Sequence, residues 1–138
     1  MFIDSELVEI KIYYKKIGHL YSVFGEKDFL ENKALRDEDR KKYQSLSVKM
    51  KVMDWGTFND LQDASMTTDP TGERKFNYKL YKENRLQALI AEWDVKDPGG
   101  NPIPVSIENI RKMAPNIAET ILGVYDASQF LSGDDEKK

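Results

Sequence analysis

The apolar side chains change their spacing part-way along this chain. From Glu6 to Lys15 they recur at every second position: Val8, Ile10, Ile12 and Tyr14 fall on one face, and Leu7, Glu9, Lys11 and Tyr13 on the other. Ser45 to Met53 repeats the pattern, with Leu46, Val48, Met50 and Val52 alternating with Ser47, Lys49, Lys51 and Met53. A period of two is that of a strand with one covered face. From Asn77 to Trp93 the spacing is instead near the helical period of about 3.6. There Tyr78, Tyr81, Leu86, Leu89, Ile90 and Trp93 form a stripe, with Lys79, Lys82, Glu83 and Glu92 largely off it. Strands first and helices afterwards predict an α+β fold. The expected architecture is a set of N-terminal antiparallel β-strands with a short helix, followed by a C-terminal bundle of about three helices.

Punctuation refines this reading. Gly18 and Gly25 break any long periodic element between Ile17 and Asn32, which leaves that stretch ambiguous. Leu35 to Lys42 carries charges of both signs and reads as an exposed turn or short helix. After Met53, either Asp54 or Thr57 can cap a short helix, and Thr57 with Asp60 imitates a capping box. Phe58 and Leu61 would share its buried face. Asp69-Pro70-Thr71-Gly72 suits a type I turn. These signals divide the chain into a β-rich part over 1–66, a linker over 67–76, a helical part over 77–131 and a disordered polar tail over 132–138.

Within the helical part, the first helix must stop before Asp97-Pro98-Gly99-Gly100, because Pro lacks a donor and Gly costs backbone entropy. Pro102 and Pro104 hold the next segment extended. Ser106 caps a short helix with Glu108 in its first turn. Pro115 opens the last helix, which buries Ile117, Ile121, Val124 and Tyr125.

Size and charge restrict the function. The 138 residues carry a net charge of -3, enough chain for one domain that buries roughly two thirds of its unfolded surface. The acidic balance speaks against a general nucleic-acid binder. Having no cysteine, the chain forms neither disulfides nor thiolate metal sites. No apolar run approaches the ~20 residues of a membrane span, and the N-terminus lacks a signal-peptide pattern. The expectation is a soluble intracellular protein with no membrane and no nucleic-acid partner.

Catalytic signals are weak. His19 is the single histidine, and a general base needs a nucleophile or carboxylate placed beside it. Asp94, Asp97 and Asn101 lack the spacing of a calcium loop, so a plain turn is the better reading. Gly99-Gly100 is followed by no Lys-Ser or Lys-Thr, which a phosphate cradle requires. Asp37, Glu38 and Asp39 alternate with cations and read as a solvated face, not as paired acids. No catalytic, cofactor or metal residues are assigned. Trp55 and Trp93 suit either the junction between the two halves or a protein interface.

One ordered series stands out: Trp93-Asp94, the Gly-Asn-Pro-Ile-Pro loop at 100–104, Ser106, Glu108, and Pro115-x-Ile117-Ala118. It resembles the C-terminal half of the tail assembly chaperones of long-tailed bacteriophages. The strand, Trp55 and short helix over Leu46 to Ser65 are similar too, so the resemblance runs from Leu46 to Tyr125. It implies a non-enzymatic protein that coats the helical tape measure protein, keeps it soluble and helps recruit major tail protein, working in the host cytoplasm. In many phages the same gene also yields a longer, frameshifted product. The competing expectation is a virion structural protein: a minor tail, neck, baseplate or capsid-decorating component.

A chaperone for a helical client needs apolar grooves. Trp55, Tyr81, Leu89, Trp93, Ile103, Ile117, Ile121 and Tyr125 are the candidate partner-binding residues. Met50, Met53, Met66 and Met113 would add adaptable contacts. The apolar face of Val8, Ile10, Ile12 and Tyr14 is a candidate surface for a homo-oligomer through a sheet edge.

Overall fold

The computed structural model describes residue 1 and residues 6–136, with side chains up to Gln129. Strand β1 (Leu7–Ile17) turns at Gly18 and His19 into β2 (Leu20–Gly25). Gly18 has φ +63° and His19 does not have positive φ. That is the type II′ hairpin turn, whose twist matches its strands and which needs glycine first. Helix α1 (Glu26–Glu31) follows at once, then α2 (Asp37–Arg40), β3 (Gln44–Lys51) and α3 (Trp55–Ala64).

A small hairpin pairs β4 (Met66–Thr68) with β5 (Arg74–Phe76). The remaining elements are α4 (Tyr78–Leu89), β6 (Ile90–Trp93), α5 (Ile107–Arg111) and α6 (Pro115–Glu136). The fold is α+β, with the N-terminal strands antiparallel and most of the helix content after them.

The main sheet has the order β2-β1-β3-β6, and every neighbouring pair is antiparallel. Ile10, Ile12, Leu46, Val48 and Met50 point to one face and are buried there. Helices α4, α5 and α6 cover that face with Leu86, Leu89, Ile110, Ile117, Ile121, Leu122 and Tyr125. The period-two pattern thus marks the core side of both long strands. The candidate oligomer surface of Val8, Ile10, Ile12 and Tyr14 is this same side. Ile10 and Ile12 lie beneath the helices, with Val8 and Tyr14 packed against them, so that face is not free to meet another subunit. Met50 is likewise core and not an adaptable surface contact.

The opposite face carries a second, smaller cluster. Phe29 of α1 stacks on Tyr13 at 4.2 Å between ring centres, and Phe24 and Tyr43 close around it. Arg40 closes the cluster from α2, donating to the carbonyl oxygens of Phe29 and Asn32. The charge run is therefore a short exposed helix, as its composition predicts, except that one arginine ties it down.

Further expectations are corrected. The helix beginning at Asn77 ends at Leu89, not at Trp93, because Ile90 turns to extended backbone (φ -70°, ψ 116°). Residues 90–93 pair with β3: Val48 opposite Trp93, Lys49 opposite Glu92, Met50 opposite Ile90, with a shift of register beside Lys49. Ala91 is the extra residue of this bulge. The open edge of β3, with Lys49 and Glu92 as an opposite-charge cross-strand pair, outweighs local helix propensity here.

The expected linker over 67–76 is mostly the β4–β5 hairpin. Its Asp69 turn is closed by Gly72 N–H to Asp69 O at 2.9 Å, with Gly72 at φ +87°. Asp97 repeats the arrangement: Gly100 N–H reaches Asp97 O at 2.9 Å, with Gly100 at φ +82°. Each is a type I turn followed by a left-handed glycine, a three-residue hairpin connection. Of the expected disordered tail, residues 132–136 belong to α6 and residues 137 and 138 lie outside the described residues.

Gly25 shows how tightly α6 lies on the sheet. A Cβ at this position would sit 2.6 Å from Val124 Cγ2. Its φ of -64° suits any residue, so the constraint is contact and not backbone strain. We expect Gly25→Ala to destabilise by about 1–3 kcal/mol through overpacking. Val124→Ala should recover part of that loss in the double variant, read by urea denaturation as a double-mutant cycle. Additive losses would show that the two positions do not press on each other.

Candidate aromatic groove

Asp54 ends the strand-to-helix connection and caps α3, its Oδ1 accepting from Thr57 N–H at 2.8 Å. This hydrogen bond holds the Asp54 carboxyl below its ordinary pKa. Asp54, and not Thr57, is therefore the cap. The cap makes Trp55 the first residue of α3, and the residue is 76% exposed. Phe58, one turn on, stacks against it with ring centres 5.9 Å apart and planes inclined by 22°.

These two rings form one wall of a surface groove of about 650 Å³. Tyr81 of α4 and Tyr125, Asp126 and Gln129 of α6 complete it, with Met53, Asp54 and Arg85. Three helices and the connection that follows β3 thus meet there. Phe76 and Tyr78, both exposed, extend the apolar surface beyond Tyr81.

The floor is polar but enclosed. Arg85 is buried, and its guanidinium pairs with the Asp126 carboxylate through both terminal nitrogens. The cation lies 5.4 Å from the centre of the Tyr81 ring and 5.8 Å from that of Tyr125. Arg85 Nε is buried and lacks an acceptor among the described residues. Tyr125 donates its hydroxyl to Lys51 O at 2.9 Å, and burial pushes its phenol pKa up. It is therefore a neutral donor that locks α6 to the end of β3.

A second cleft, of about 630 Å³, opens at the other end of the molecule. Trp93, Ile103, Ile117, Tyr14, Tyr21 and Met113 are among its lining residues. Trp93 Nε1 donates to Ile103 O at 2.6 Å, and Ile103 N–H donates to Val95 O at 2.9 Å. Lys96 bridges Pro102. The Trp-Asp pair, the Gly-Pro loop and the Ser106 cap are consequently one folded unit, a hairpin leading into α5. Ser106 Oγ accepts from Asn109 N–H at 3.2 Å, as expected of a cap.

The eight candidate partner-binding residues are not one surface. Trp55, Tyr81 and Tyr125 meet in the first groove. Trp93, Ile103 and Ile117 meet in the second. Leu89, Ile121 and Tyr125, 1%, 0% and 1% exposed, are core, because the same stripe that could bind a partner covers the sheet, and Tyr125 reaches the groove only as part of its floor. His19 lies at an exposed hairpin turn.

Sequence reasoning misses Arg85 and Asp126 as parts of the groove. A signal exists: Arg85 stands four residues after Tyr81 and four before Leu89, inside the apolar stripe, and a cation placed there needs a partner.

No protein-family model, curated protein or solved structure matches this chain. Among the described residues no helix is long and apolar enough to cross a membrane.

Proposed function

We propose that this protein is a tail assembly chaperone of long-tailed bacteriophages. It acts by binding: the aromatic groove holds segments of the tape measure protein in the host cytoplasm, and the complex is presented to major tail protein. The observation that carries this reading is Trp55, which is 76% exposed and lines a groove with the partly exposed rings of Phe58 and Tyr81. Large aromatics that converge on a concave surface are the usual anchors of protein recognition. The resemblance over Leu46 to Tyr125 supplies the identity of the client.

Co-expression with the tape measure protein encoded in the same genome tests this. The two proteins are expected to co-purify, and Trp55→Ala with Tyr81→Ala should lower recovery of the client about tenfold or more. Mass spectrometry of purified virions should not find the chain. Failure to co-purify would sink the reading, and presence in finished particles would replace it with a virion component.

A further inference from the structure

The groove also has an electrostatic character, which names the kind of segment it takes, provided that the groove is the client site. Its lining holds two carboxylates, Asp54 and Asp126, against one cation, Arg85. Arg85 and Asp126 neutralise each other. Asp54 takes part in none of the ion pairs among the described residues. It is held ionised by its bond from Thr57 N–H and stands next to the most exposed indole of the chain.

Aromatic faces carry negative charge density and attract cations, tryptophan most strongly. This region already uses that attraction internally. Arg85 sits on Tyr81 and Tyr125, and Lys82 lies 5.2 Å from the centre of the Tyr78 ring. None of the cation–ring contacts among the described residues involves Trp55. Trp55 and Asp54 thus place an open aromatic face and an unneutralised carboxylate side by side at the groove.

We propose that the groove takes a basic amphipathic segment of a partner protein. An apolar side chain of that segment packs against Phe58 and Tyr81, and a lysine or arginine lies over Trp55 beside Asp54. The chain's own net charge of -3 favours such a partner over a second copy of itself.

Two designed amphipathic peptides decide this, identical on the apolar face and flanked by lysine in one and glutamate in the other. Each is titrated calorimetrically into the full chain and into Trp55→Leu and Asp54→Asn. Asparagine keeps the helix cap and removes only the charge. The lysine peptide should bind about tenfold tighter or more than the glutamate peptide. Its advantage should shrink with added salt and in both variants. Equal or tighter binding of the glutamate peptide overturns this inference while leaving the groove as a client site. Lysine-peptide binding that neither substitution changes overturns it equally. If neither peptide binds, the inference and the groove reading fall together.

Discussion

Ile10→Asp and Ile12→Asp, introduced together, are expected to abolish the folded state. Both side chains lie against the helical layer, 1% and 0% exposed, on the strand that pairs with β2 on one side and β3 on the other. Each substitution removes a buried aliphatic group and places a carboxylate where no cation waits. Loss of the isoleucine alone costs about 2–5 kcal/mol, and an unpaired buried charge adds several more. Two such changes exceed the whole stability of a typical domain, about 5–15 kcal/mol. Circular dichroism should show loss of the native spectrum and of any cooperative melt. The pair Glu9→Asp and Lys11→Arg, on the other face of the same strand, should leave both intact. A folded double aspartate variant would mean that this strand face is not the core.

Asp126→Ala is expected to destabilise by about 2–4 kcal/mol, because it leaves the Arg85 cation buried without its counter-charge. The figure sits at the lower end for a broken buried pair because the Asp126 side chain is 44% exposed and water can partly replace it. Arg85→Met should cost less than Asp126→Ala. It removes the cation and its unpartnered Nε together, and keeps an unbranched apolar side chain beneath Tyr81. Chemical denaturation of the two variants gives the order directly. An Asp126→Ala protein as stable as the parent would show that the pair adds nothing to the groove floor. Opposite effects are expected in peptide binding: Asp126→Ala uncovers a positive charge and should weaken the lysine peptide.

Where local pattern and tertiary demand agree, the sequence is readable. The two long strands, the helix start at Asn77, the Ser106 cap and the Pro115 start all follow from spacing and end-group chemistry, because each is decided by residues within a turn or two. Asn77 accepts from Leu80 N–H at 3.0 Å as such a cap should. The segment Ile90–Trp93 is not readable in this way. Its apolar spacing continues the helical stripe, and only the distant edge of β3 makes it a strand. The stretch from Ile17 to Asn32 is obscured for a related reason. Gly25 lets α6 approach, and its neighbour in space, Val124, lies 99 positions further along the chain.

The groove is half legible. Trp55, Tyr81 and Tyr125 stand out as large aromatics, and the structure brings them together. Spacing alone cannot tell an anchor from a core residue on a shared stripe, which is why the pattern groups Leu89, Ile121 and the buried Tyr125 with Trp55 and Tyr81. Arg85 and Asp126 pair across 41 positions, a relation no local window contains.

The late position of β6 and α6 has a consequence for synthesis on the ribosome. The strand that completes the sheet and the helix that covers its middle are translated after every other large element. A nascent chain that has only reached the Asp69 turn already holds both long strands with their greasy side bare. That vulnerable interval ends only when the segment carrying Ile117, Ile121 and Tyr125 has left the exit tunnel.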